Sequence, residues 1–380
     1  MAQHGFVFRK GASWFLRYRD NFVVDGKLVR KQKCVKLADY GDRYRCASDL
    51  DELVAEKMSG VRQAAKCPHS SDSFESYVEE VYLPFVQRTM SASTFAGYKT
   101  YWTRYLKPRV EKYVLRDFSV AIVSGLLEDI ANAHTLNSDT VGKVRSLLSG
   151  IFTYAMGKGH FPGKSASENP ASCALIPESA TEPKNTVAAS REEVQAILVA
   201  LKAMPLERAA IALVAFTGVR PSEARGLRWE EWDREQQHIA VKRGVWRRIV
   251  GDTKTLQSIR FVTVTSELRE ILLALWNAQG SPLGGYILAG PRGRRPIILD
   301  NMSKRDIRPA LQEAGIRWHG FYSLRRFHAT QVRMESQSSE TAAKALGNSR
   351  AVADKHYIKP TTVLPDVRKA VNDAVSGLVN

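Results

Sequence analysis

Residues 215–229 read AFTGVRPSEARGLRW. Thr217-Gly218 turns the chain, and Pro221 suits the first turn of a helix, where its missing N–H leaves no intrahelical bond unmade. Arg220 is therefore held at the junction of turn and helix. A guanidinium fork there converges with the unpaired backbone N–H groups of the helix start, a combination suited to an anion. Glu223, one turn on, is in position to orient that guanidinium. Alone, such an arginine is usually an ordinary surface residue, so its meaning depends on what else the chain supplies.

Three further stretches of the C-terminal half bear on it. HIAVKRGVW (238–246) and SIRFVTV (258–264) have the composition of strands, and GDTKT (251–255) between them is a turn that raises Lys254 on a hairpin tip. A lysine so placed can reach a phosphodiester oxygen as a proton donor, although a loop lysine with no other support is usually just solvated. FYSLRRFHAT (321–330) opens a helix with Tyr322 and Arg325 three residues apart on one face. Arg326 points elsewhere, as a structural or DNA-backbone residue. ALGNSRAVADKHYIKP (345–360) turns at Gly347-Asn348 and then presents Tyr357 on a short helix.

The whole chain favours an anionic partner. Its 380 residues are too many for one ordinary core, and its formal net charge is +17. A sustained positive field favours polyanions, nucleic acid first. With 44% hydrophobic and 25% charged residues, the composition is that of a folded chain, not a disordered one. Cys34, Cys46, Cys67 and Cys173 form no C-x-x-C pair, which argues against a zinc ribbon or a disulfide framework and for reduced thiols. The start lacks the apolar core of a signal peptide, and no apolar run is long enough to span a bilayer. A soluble, cytoplasmic, nucleoid-associated protein is expected.

Residues 1–66 read as a small basic sheet followed by a helix. Trp14, Leu16 and Tyr18 alternate with Arg17 and Arg19, Asp25-Gly26 turns into KLVRKQKCVKL (27–37), and Ser48 caps a helix carrying Leu50, Leu53 and Val54. Such a module suits DNA, or else is a solvated lysine-rich sheet face. Residues 71–175 have helical spacing: Phe74, Tyr77, Val78, Val81 and Tyr82; Phe95, Tyr98, Trp102 and Tyr105 behind a Ser93 cap; then Val141, Val144, Leu147, Leu148, Ile151 and Phe152. The aromatics read as core, with Lys99, Arg104 and Lys107 among them on phosphates or in water. The proline-rich stretch 162–186 marks a boundary, and Ser190 with Glu193 forms a capping box that opens a domain over 186–380. The fold class is thus multidomain, mostly α with small β-sheets: a β-sheet-plus-helix module, a helical domain and an α+β domain.

The order Arg220, Lys254, Tyr322 and Arg325, Asn348, Tyr357 in these contexts resembles the tyrosine recombinases, or phage integrase family. TG-x-R-x-S-E, the hairpin TKT, L-R-R ahead of A-T, and L-G before the tyrosine recur in order across 186–363. Each motif is weak alone; four in order are specific. The helical segment, ending in Glu168-Asn169-Pro170-Ala171, is similar to the family's core-site-binding domain, and the N-terminal segment to the arm-type DNA-binding domains of the longer integrases. Two positions depart from the commonest pattern. Tyr322 stands where the family usually has histidine, and Asn348 where it usually has histidine or tryptophan. His319, His328 and His356 are nearby in sequence, but none is an evident substitute.

The resemblance implies a site-specific recombinase of a mobile genetic element, acting in DNA integration. It assigns Tyr357 the attack on the scissile phosphate, leaving a 3′-phosphotyrosyl link and a 5′-hydroxyl. Arg220 and Arg325 then hold the two non-bridging oxygens, Lys254 protonates the departing 5′-oxygen, and Tyr322 and Asn348 add neutral hydrogen bonds. No cofactor is implied, because one phosphoester is exchanged for another of similar energy. No metal is implied either, because two guanidiniums supply the charge. The implied partners are double-stranded DNA with core and arm-type attachment sites, a homo-tetramer on two duplexes, and an excisionase or host DNA-bending protein. Val367, Val371, Val375 and Leu378 form an apolar stripe in the tail, for a neighbouring subunit or for its own domain. Two other readings rest on the same residues: a degenerate recombinase that binds DNA without cutting it, and a relaxing enzyme like the type IB topoisomerases.

Overall fold

The structure, a computed structural model, describes residues 4–24, 27–163, 165–183, 185–252, 260–290, 293 and 295–358. The Asp25-Gly26 turn, Lys254 on its hairpin tip and the stripe of Val367, Val371, Val375 and Leu378 lie outside the described residues. The chain divides into two compact units, Met1–Lys184 and Asn185–Asn380. The architecture is mostly helical with small sheets, as the sequence implies.

The first unit opens with an antiparallel meander of β1 (Phe6–Lys10), β2 (Ser13–Val24) and β3 (Lys27–Asp39), paired in that order. Alternation along β2 buries Trp14, Leu16, Tyr18 and Asp20 and turns Arg17 and Arg19 outward. Leu16 and Tyr18 pack on Met58 of the helix Asp51–Lys66. A 3-10 turn, Ala47–Leu50, leads into that helix, and Ser48 sits inside the turn instead of capping. The capping acceptor is Asp49, whose Oδ2 takes the N–H groups of Arg45 and Cys46 at 2.7 and 2.9 Å; a carboxylate outcompetes a hydroxyl for two donors at once.

The helices 74–89, 92–110, Val120–His134 and Ser138–Gly157 enclose a core in which Phe74, Trp102, Tyr105, Leu127 and Phe152 are buried. Ser91, not Ser93, caps the second of them, accepting the Thr94 N–H at 3.2 Å. Lys107 is ion-paired within its own domain: its Nζ lies 3.0 Å from Glu75 and 2.6 Å from Glu79. Two helices widen into π turns at Tyr77–Tyr82 and Trp102–Leu106, just ahead of Pro84 and Pro108. Proline lacks the N–H and crowds the carbonyl four residues back, and the wider turn relieves both. Asp20, 2% exposed, ties the sheet to the helices, taking Arg116 Nη1 at 2.9 Å and Nη2 at 2.5 Å.

The second unit is built round the helix Pro205–Thr217, in which every residue from Ala209 to Ala215 is buried. Its lead-in helix, Arg191–Ala200, starts in the Ser190–Glu193 capping box, with bonds of 2.8 and 3.1 Å. One sheet has the order β4 (Trp232–Asp233), β5 (His238–Val241), β8 (Arg260–Thr263); a separate hairpin pairs β6 (Arg243–Trp246) with β7 (Ile249–Asp252). The stretch 238–246, which reads as one strand, is therefore two, broken at Lys242. Arg225 is the physical reason for the hairpin's position. Its buried guanidinium donates to the carbonyls of Val245 at 2.8 Å, Arg247 at 2.6 Å and Ile297 at 2.6 Å. The helices Ser266–Ala278, 299–313, Phe321–Ser336, Ser339–Leu346 and Arg350–His356 complete the unit.

Candidate active site

Three segments of the second unit converge because of one glycine. Gly218 ends its helix at φ +63°, a left-handed conformation that L side chains avoid. A Cβ there would lie 2.4 Å from His328 Cδ2 and 2.9 Å from Leu346 Cδ2. The turn, the helix Phe321–Ser336 and the end of Ser339–Leu346 can meet only without it.

Arg220 follows in extended conformation, and the single helical turn Pro221–Ala224 brings Glu223 back beneath it. Glu223 Oε2 accepts the Arg220 N–H at 2.8 Å, and Oε1 accepts Nη1 at 2.5 Å. The other end of the guanidinium, Nη2, donates to the Asn348 side-chain oxygen and, at 3.4 Å, to the Gly347 carbonyl. Arg325 enters from the helix Phe321–Ser336 and is wholly buried. Its Nη1 donates to the Gly218 carbonyl and its Nη2 to the Leu346 carbonyl at 3.1 Å. Tyr357, at the end of Arg350–His356, lays its ring over this guanidinium, 4.7 Å from ring centre to guanidinium carbon. Arg220, Arg325, Asn348 and Tyr357 thus form one cluster.

The cluster is strongly charged. Burial lowers the Arg325 pKa to about 10, which leaves it a cation at neutral pH. Burial also pushes the Glu223 carboxyl up, but Arg260 and then Arg220 outweigh it and hold the group below its usual value. Tyr322, 48% exposed, has its phenol raised by desolvation first and by Tyr357 second, with Arg325 and Arg220 opposing. Among the described residues, the buried donors Arg325 Nε and Asn348 Nδ2, both turned into this cluster, have no hydrogen-bond partner. Buried donors are rarely left unmet, so a pair of them in one arginine cluster suits an incoming anion. Among the described residues no group of three or more His, Cys, Asp or Glu could hold a metal ion.

The histidines near in sequence lie elsewhere. His328 is packed against Gly218 with backbone hydrogen bonds at Ala215 and Phe216, and burial pushes its pKa down to about 4. His319 lies 3.8 Å from Glu193. The His356 carbonyl accepts Arg326 Nε at 3.2 Å, and Arg326 Nη1 reaches the Val187 carbonyl at 3.3 Å, so Arg326 is a structural tie.

Arg260, at the start of β8, is the member of the cluster that local patterns do not reveal. Its Nη2 donates to Glu223 Oε2 at 3.0 Å. Nothing in the alternation of 258–264 distinguishes it from a solvated strand arginine. Only the β5–β8 pairing, in which Val241 faces Arg260, carries it to the carboxylate.

The phage integrase family pattern matches residues 189–362. A "tyrosine recombinase XerC-like" protein of Caldanaerobacter subterraneus subsp. tengcongensis is 24% identical over 355 residues, covering 86% of each chain. Among solved structures, the Tn1549 transposon integrase in complex with transposon right end DNA superposes with a TM-score of 0.63 at 15% identity, covering 78% of this chain and 99% of that one. A lambda integrase dimer bound to a COC′ core site gives 0.61 at 17% identity, with 94% and 97% covered. A lambda integrase tetramer bound to a Holliday junction gives 0.57 at 16% identity, with 96% and 98% covered. At these identities the structural likeness is one of fold.

Proposed function

We propose that the chain, whose residues 189–362 match the phage integrase family, is a site-specific DNA recombinase that cuts and rejoins strands through Tyr357. The observation that carries the reading is the Tyr357 ring stacked on the buried Arg325 guanidinium, with Arg220 joined to the same cluster. A phenol beside two guanidiniums is a nucleophile beside the charge that a phosphoryl transition state needs.

Tyr357 Oη attacks the scissile phosphorus, its phenolic proton passing to solvent, from which Lys254 is later reprotonated, and the bond from phosphorus to the 5′-oxygen breaks. A 3′-phosphotyrosyl link forms, and the 5′-oxygen leaves as a hydroxyl, its proton supplied by Lys254 as the resemblance assigns. Attack of a 5′-hydroxyl from a second duplex reverses the step and frees Tyr357. Arg220 and Arg325 each offer N–H donors to the non-bridging oxygens, with Arg325 Nε and Asn348 Nδ2 available for the new bonds. Because Tyr357 covers Arg325, its ring swings aside as the phosphate enters, which carries the phenol toward phosphorus. Tyr322 adds a neutral hydrogen bond. Residues 1–66 take arm-type DNA, 71–175 take the core site, 186–380 hold the chemistry, and a homo-tetramer brings two duplexes together.

A nicked suicide duplex, analysed on a denaturing gel, tests this. Wild type is expected to give a covalent adduct, and Tyr357→Phe to keep DNA affinity while losing the adduct below detection. An adduct at wild-type levels in the variant assigns the wrong tyrosine. Binding without any wild-type adduct marks a degenerate recombinase, and relaxation without joining of two duplexes marks a topoisomerase-like enzyme.

A further inference from the structure

Among the described residues, the site holds three arginines and one carboxylate, and the third arginine, Arg260, meets that carboxylate. Glu223 is 3% exposed and spans the cluster. It meets Arg220 Nη1 at 2.5 Å, Arg260 Nη2 at 3.0 Å and Arg325 Nη1 at 4.0 Å. Arg260 also packs under the turn that carries Asn348: a Cβ on Gly347 would lie 3.1 Å from Arg260 Nη1 and 3.4 Å from Cδ and Cζ. Gly347 sits at φ +63°, so the close approach and the backbone conformation make the same demand for glycine.

The charges decide what this arrangement does. A phosphodiester in its pentavalent state carries its negative charge on two non-bridging oxygens. Glu223 orients Arg220, but a buried carboxylate at this range also cancels much of the field of Arg220 and Arg325. Arg260 supplies a compensating cation on Oε2, the carboxylate oxygen that the Arg220 guanidinium does not hold.

We propose that Arg260 is a positioning residue of the strand-cutting reaction: it neutralises Glu223, leaving the charge of Arg220 and Arg325 for the phosphate. This rests on the function proposed above and deepens it. It predicts that Arg260 acts on the charge developed in the transition state and not on DNA affinity, and that its effect passes through Glu223.

Single-turnover cleavage of a suicide duplex tests it in wild type, Arg260→Met, Arg260→Lys and the double variant Arg260→Met with Glu223→Gln. Each is run with a native scissile phosphate and with a methylphosphonate there, which removes one negative charge. Failure of wild type to form any adduct refutes the proposed function itself. With wild type active, Arg260→Met is expected to lose about 10- to 100-fold in rate on the phosphate, less than loss of a donor that touches the transition state. DNA affinity stays within about 3-fold. The loss shrinks on the methylphosphonate, and removal of the Glu223 charge recovers at least about 5-fold. Arg260→Lys keeps the charge and stays within about 10-fold of wild type, a readout that survives if the Met variant does not fold. Equal losses on both substrates, no recovery in the double variant, or a Lys variant slowed more than about 10-fold overturns the proposal.

Discussion

Tyr322 stands where the resemblance to the tyrosine recombinases leads one to expect histidine. Its phenol is held above the usual value, by desolvation first and by Tyr357 second, so between pH 7 and 9 it is neutral and cannot accept a proton. Tyr322→Phe removes one neutral hydrogen bond, about 1 kcal/mol, and is expected to slow single-turnover cleavage by about 10-fold or less. Tyr322→His restores an imidazole that can take a proton near neutral pH, and is expected to raise the rate there by less than about 10²-fold. A pH–rate profile of the three proteins decides it; if the His variant tracks the Phe variant throughout, position 322 does not serve proton transfer. His328 makes the opposite prediction, about stability. Its folded value, about 4, lies below the ordinary 6.5, so the unfolded chain binds more protons between those limits. The stability from packing it neutral is complete above pH 6.5 and is lost as pH falls towards 4. Thermal midpoints should decline across that window, and His328→Gln should flatten the decline while lowering the midpoint at pH 7.

At the scale of elements, two contacts carry more than their length. Gly218 lets a helix stop where two others press on it, and Gly218→Ala adds left-handed strain of about 1–3 kcal/mol to a clash with His328. Loss of both stability and cutting is expected, with urea unfolding as the measure. The Asp20–Arg116 pair joins β2 to the helical part of the first unit. Asp20→Ala removes the carboxylate from a guanidinium that is 15% exposed, and should lower stability by up to about 3–5 kcal/mol in the same assay. If the variant unfolds like wild type, the pair does not hold sheet to helices. The pair also bears on any truncation: deleting residues 1–66 removes the carboxylate from Arg116, so a loss of DNA binding by the shortened chain must be read beside its unfolding curve.

For the whole molecule, the net charge of +17 predicts that DNA affinity falls steeply and linearly with salt on logarithmic axes, as phosphate contacts release counterions. Cutting should survive excess EDTA, because the proposed reaction places the phosphate's charge on Arg220 and Arg325. Loss of cutting with binding intact, rescued by magnesium, would sink that assignment. A shallow salt dependence would instead point to binding dominated by contacts other than Lys and Arg on phosphate.

What the sequence determined by itself is what neighbouring residues decide among themselves. The glycine turn, the proline that opens a helix after Arg220, the Ser190 capping box and the alternation of β2 all follow from backbone conformation and local hydrogen bonds. Where two local acceptors compete, as Ser48 with Asp49 or Ser93 with Ser91, sequence identified the helix but not its cap. Tertiary structure alone decided which charges share a carboxylate. Asn348 meets Arg220 across 128 residues, and Arg260 reaches Glu223 only because β8 pairs with β5. The position of the β6–β7 hairpin likewise involves Arg225, whose three carbonyl acceptors lie on two different segments. A buried charge takes whatever partner the folded chain brings within reach, and no local propensity encodes that distance.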